Sequence, residues 1–86
     1  MMLAWQTGAW EDYLEWQLTD KIIARKINEL IKECLRTPFE GKGKPEMLRS
    51  NFSGHWSRRI NEEHRLVYKV ENELIIIVRC RYHYEK

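Results

Sequence analysis

The stretch "HRLVYKVENELIIIVRCRYHYEK", residues 64–86, decides the fold. It holds two runs of branched and aromatic residues around Glu71, Asn72 and Glu73, the pattern of an antiparallel hairpin. Side chains alternate along a strand, so Leu66, Tyr68 and Val70 share one face while Arg65, Val67 and Lys69 share the other. In the second run Leu74, Ile76, Val78, Cys80 and Tyr82 oppose Ile75, Ile77, Arg79, Arg81 and His83. A three-residue turn at Glu71, Asn72 and Glu73 matches the apolar faces and sets Arg65 opposite Arg79. Facing arginines are unfavourable unless an anion lies between them, so the pattern points to a phosphate-sized ligand. In that register His83 lies about 13 Å further along the strand, and only a bend, a bulge or a different register brings it to Arg65.

Upstream, "HWSRRI" (55–60) reads as a further strand separated by "NEE", which extends the hairpin into an antiparallel meander. The stretch "TPFEGKGKPEMLRSNFSG" (37–54) holds both prolines and three of the four glycines, and reads as a long loop with one helical turn at Pro45–Arg49. Loops of this length in small domains tend to carry function. Two helices precede it. Trp10, Tyr13, Leu14 and Leu18 fall at helical spacing between Ala9 and Leu18, and Asp20 offers an N-cap for a second helix. There Ile23, Ile27, Leu30 and Cys34 follow i, i+4, i+7 and i+11, with Lys26, Glu29, Lys32 and Glu33 between them, until Pro38. "MLAW" (2–5) fits a short first strand. The fold class is therefore α+β, two N-terminal helices packed on a mainly antiparallel sheet, in a single domain over residues 1–86.

Composition narrows the function. An apolar content of 43% with four tryptophans excludes a disordered chain. Residues 1–46 hold seven Lys/Arg against eight Asp/Glu and residues 47–86 eight against five, so a net charge of +2 conceals a basic second half suited to an anionic partner. The N-terminus lacks the basic and apolar regions of a secretion signal and no segment has membrane-spanning length, so a cytoplasmic protein without a membrane partner is expected. Cys34 and Cys80 fit neither a disulfide framework nor a zinc motif. Cys80 and His83, three apart on a strand, point to opposite faces, so no metal and no cofactor is expected.

Cleavage of RNA without a metal needs a base for the ribose 2′-OH, cations for the phosphate oxygens and an acid for the departing 5′-oxygen. Glu46 in the loop, Arg65 and His83 on strands supply these three functions, and Tyr84 is placed to stack on a base or orient the phosphate. From the residues alone other readings stay open. Glu46 also suits the first turn of a short helix, Arg65 a solvated strand position paired with Glu62 or Glu63, and His83 an ordinary surface site. A non-catalytic RNA-binding or ribosome-binding module would use the same basic strands.

Five blocks in order, "INELIK", "RTPFEGKGKPE", "SGHWSRRI", "EEHRLVY" and the terminal "CRYHY", make the chain resemble the YoeB toxins of the RelE superfamily over essentially its whole length. The resemblance implies a RelE-like, microbial-ribonuclease-like fold and a type II toxin–antitoxin messenger-RNA endonuclease. It further implies cleavage in the ribosomal A site of the 70S ribosome by 2′-OH attack, leaving a cyclic phosphate. On these blocks the family's general base falls on Glu46, its phosphate-stabilising arginine on Arg65, its general acid on His83 and a substrate-positioning tyrosine on Tyr84. Lys44, Arg49 and Arg59 fall where RNA or ribosome contacts are expected. A cognate YefM-like antitoxin and a homodimer are the implied protein partners. Glu85 and Lys86 extend the chain beyond the tyrosine at which the family commonly ends.

Overall fold

The structure, a computed structural model, describes residues 1–82. The chain runs β1 (Met2–Trp5), α1 (Thr7–Thr19), α2 (Lys21–Arg36), β2 (Glu46–Met47), a 3₁₀ turn (Ser50–Phe52), β3 (His55–Arg59), β4 (Arg65–Glu71) and β5 (Leu74–Arg79). The strands form one sheet in the order β1-β5-β4-β3-β2. All neighbours are antiparallel except β1, which pairs parallel with β5. The architecture is the expected α+β class, two N-terminal helices and a mostly antiparallel sheet.

Helix α2 follows directly from its cap and its apolar stripe. Asp20 caps it, its carboxylate accepting from the backbone N–H of Ile22 (3.1 Å) and Ile23 (3.2 Å). Ile23, Ile27, Leu30 and Cys34, the predicted stripe, are all buried. They pack with Leu66, Tyr68, Ile75 and Ile77 of the sheet in one apolar cluster. Helix α1 departs from its apolar spacing. Its buried residues are Ala9 and Trp16, while Trp10, Leu14 and Leu18 are exposed. The anchor is polar: the Trp16 indole N–H donates to the Cys80 carbonyl at 3.0 Å, which turns that side of the helix inward.

The β4–β5 hairpin differs from the expected register. Glu71 pairs with Leu74 across a two-residue turn in which Asn72 has φ +56°. This places Ile75 and Ile77, rather than Leu74 and Ile76, beside Val70 and Tyr68 on the helix side. Between Tyr68↔Ile77 and Val67↔Arg79 the register then shifts by one, and Val78 is the extra residue of a β-bulge. The bulge inverts the alternation, so Cys80 returns to the core although it has the parity of Ile76. Arg79 consequently faces Val67 and not Arg65.

Beyond β5 the chain remains tied to α1. The Cys80 thiol donates to the Ala9 carbonyl at 3.5 Å, and burial pushes its pKa up to about 12. Arg81 donates to Glu15 at 3.1 Å, with its guanidinium 4.7 Å over the Trp16 ring.

Candidate functional site

The strand registers place four residues in one row across the sheet: Glu46 opposite Ser57, Ser57 opposite Val67, and Val67 opposite Arg79. Residues paired across neighbouring strands share a face. Since Tyr68 and Leu66 point into the helix-side core, this row lies on the face that the helices leave uncovered. The next pair along is Arg59 opposite Arg65, and on the other side of the row stand His55 and Lys69. One carboxylate and several cations therefore converge on one surface. At ordinary strand spacing and rise, the Cα atoms of Glu46 and Arg65 lie about 12 Å apart, a gap that two long side chains and one phosphate can fill.

Glu46 does not begin a helical turn. It stands in edge strand β2, paired with Ser57, and the helical turn comes later, at Ser50–Phe52. Leu48 explains the extension: its N–H donates to His55 O at 2.9 Å and its side chain is buried, so a helical turn through Pro45–Arg49 would lose both. The segment leading to Glu46 is held from beneath by Arg58, which is fully buried. Its guanidinium donates to the carbonyls of Thr37 (2.5 Å), Glu40 (2.9 Å) and Lys42 (2.8 Å) and to the Tyr68 hydroxyl (3.0 Å). Tyr68 in turn donates to Pro38 O at 2.6 Å. Gly43 (φ +83°) passes so close that an added Cβ would lie 2.8 Å from Leu30 and 3.0 Å from Arg58, and its carbonyl accepts from Arg59 N at 2.7 Å.

Arg65 is buried rather than solvated. Its Nη1 donates to the carbonyls of Asn61 (2.7 Å), His64 (3.1 Å) and Glu62 (3.3 Å), so Glu62 contributes its backbone and not its carboxylate. Among the described residues its Nε and Nη2 have no hydrogen-bond partner, so two of the three nitrogens of a pinned guanidinium can receive an anion. Arg79 lies with its guanidinium 5.2 Å from the Phe52 ring centre. Lys69 is paired with Glu71 at 2.9 Å, which reduces its claim on an external anion. Lys44, Arg49 and Arg59 are exposed around β2 and β3. His83 and Tyr84 lie outside the described residues.

A family model for the "YoeB-like toxin of bacterial type II toxin-antitoxin system" matches residues 5–84. The chain belongs to the YoeB-like toxins. It is 64% identical over 84 residues to Toxin YoeB of Escherichia coli strain K12, covering 98% of this chain and all of that one. Among solved structures it is similar to a heterotetrameric YoeB–YefM toxin–antitoxin complex from Staphylococcus aureus (TM-score 0.89, 51% identity, 95% of each chain). It is likewise similar to a YoeB dimer from the same organism (TM-score 0.90, 49% identity, 98% of each chain).

Within this YoeB-like chain, two members of the face were not identified as site residues from the sequence. Ser57 carries no charge signal and gains its place only through the β2–β3 register. Arg79 was expected opposite Arg65, and the bulge at Val78 moves it into the row of Glu46.

Proposed function

We propose that this toxin cleaves messenger RNA in the ribosomal A site by acid/base catalysis without a metal, through ribose 2′-OH attack that leaves a 2′,3′-cyclic phosphate. YoeB toxins are mRNA endoribonucleases, which sets aside the non-catalytic binding module. The observation that carries the finer reading is the sharing of one helix-free sheet face by Glu46 and Arg65, with Arg59 beside them. Glu46, an exposed carboxylate at the sheet edge, takes the 2′-OH proton. Arg65 meets the developing charge on the phosphate oxygens with Nε and Nη2, its other nitrogen being fixed by the turn. His83 protonates the departing 5′-oxygen, and Tyr84 stacks on a base or orients the phosphate. Lys44, Arg49 and Arg59 hold the RNA or ribosome, and Arg79 adds a cation to the same face. The ribosome supplies positioning, which lowers the barrier without new chemistry.

For partners, the S. aureus YoeB is solved both with YefM and as a dimer. This chain is accordingly neutralised by a cognate YefM-like antitoxin and assembles as a homodimer. The basic half of the sequence suits an acidic segment of such an antitoxin.

Single-turnover cleavage of a defined message on A-site-open ribosomes tests the assignment. Glu46→Gln and Arg65→Ala should each lower the cleavage rate by about 10²-fold or more while ribosome binding is retained, with a cyclic phosphate on the wild-type product. Wild-type rates in either variant would remove that residue from the reaction.

A further inference from the structure

We infer that His64 is a positioning residue for the terminal segment, its imidazole standing in for a backbone carbonyl to fix the course of the chain at Tyr82. The inference rests on the reading above, in which the next residue, His83, is the acid.

The β4–β5 ladder ends at Val67↔Arg79, and Tyr82 then has φ +62°, a left-handed conformation that a tyrosine rarely adopts. Such a conformation persists only where its surroundings over-determine it. At Tyr82 two hydrogen bonds do so. The Arg65 N–H donates to Tyr82 O at 3.1 Å, and the Tyr82 N–H donates to Nδ1 of His64 at 2.8 Å. A backbone N–H can only donate, so Nδ1 is the bare nitrogen and the ring proton sits on Nε2, 3.6 Å from Glu63. The acceptor is therefore a neutral imidazole placed where the ladder has run out of carbonyls.

His64 is itself held tightly. It is only 6% exposed, its ring lies edge-on to Trp16 at 4.9 Å, and its backbone N–H donates to the Asn61 side-chain oxygen at 2.8 Å. The same turn binds Nη1 of Arg65 through its carbonyls. One short segment, residues 61–65, thus fixes both the phosphate-binding guanidinium and the chain that leads to the acid. A shift of one against the other would misplace the proton donor relative to the phosphate, and displacements of about 1 Å can cost about 10²-fold in rate.

The test compares His64→Asn, whose side-chain oxygen occupies the place of Nδ1, with His64→Gln, whose amide falls nearer the place of Nε2. Ribosome-bound cleavage is read as kcat and KM, and exchange of the Tyr82 amide is followed by NMR. His64→Asn should keep kcat within about 3-fold of wild type and keep the Tyr82 amide protected, whereas His64→Gln should lose about 10-fold or more in kcat with KM little changed and with faster exchange. Equal rates in the two variants, whether both normal or both low, would overturn the inference. His83→Gln serves as the control: wild-type cleavage there would overturn the acid assignment itself, and with it any positioning role for His64.

Discussion

Gly43 and Glu33 are where single residues most directly set the course of the loop that leads to Glu46. At Gly43 the backbone has φ +83° and a Cβ would press on Leu30 and Arg58, so both the conformation and the space require glycine. Gly43→Ala should cost about 1–3 kcal/mol in chemical denaturation, through backbone strain and overpacking together. Glu33 closes the same loop from the end of α2. Its carboxylate accepts from Arg36 at 3.0 and 3.1 Å and from the Thr37 hydroxyl at 3.4 Å. The hydrogen bond from Arg36 holds its pKa below the usual carboxylate value. A depressed folded-state pKa contributes stability above the unfolded value, near 4.5, that is lost as pH falls through the folded value. Melting temperature should therefore drop less between pH 5 and about pH 3 in Glu33→Gln than in wild type. An equal drop would show that this carboxylate is not linked to folding.

At the scale of elements, the hairpin of β4 and β5 separates what alternation can reveal from what it cannot. The strands and their antiparallel order were legible in "HRLVYKV" and "ELIIIV", and so was the core face of β4. The core face of β5 was not. Every residue from Leu74 to Val78 is branched and apolar, so no polar residue marks the parity, and both the two-residue turn and the bulge depend on packing rather than on local pattern. The observed register makes a clear distinction between neighbours. Ile77 is fully buried against the helices, whereas Ile76 lies on the other face and is half-buried. Ile77→Ala should cost about 2–5 kcal/mol and Ile76→Ala clearly less, in urea midpoints at constant slope. The reverse order would restore the simple alternation. Helix α2 was legible throughout because its caps and its stripe agree. Helix α1 is legible as an element but its inward side is not, since the Trp16 hydrogen bond to Cys80 joins residues far apart in sequence.

For the whole molecule, the sheet has one face packed against the helices and one face on which we place the chemistry. The helices and the cluster around Ile27, Leu30, Tyr68 and Ile77 occupy the first. Glu46, Arg59, Arg65 and Arg79 occupy the second, on four consecutive strands of which each supplies one residue. The sequence blocks pointed to Glu46 and Arg65 by resemblance, and charge alone pointed only to a basic second half. What brings those two onto one face is the pairing of β2 with β3 and β3 with β4, and the first of these pairs hides inside a glycine-rich stretch that reads as loop. The buried Arg58 under that stretch was equally silent, since an arginine in "HWSRRI" reads as solvated until the loop carbonyls fold over it. In the reaction we propose, proton transfers are divided between Glu46 and His83 on messenger RNA held by the ribosome. The most direct measurement is primer extension on a defined message in ribosomes with an open A site, comparing wild type with His83→Gln in EDTA. A discrete A-site cut by the wild type in EDTA, lost in His83→Gln, is the predicted result. Binding without a cut in EDTA, or an undiminished cut by His83→Gln, would contradict it.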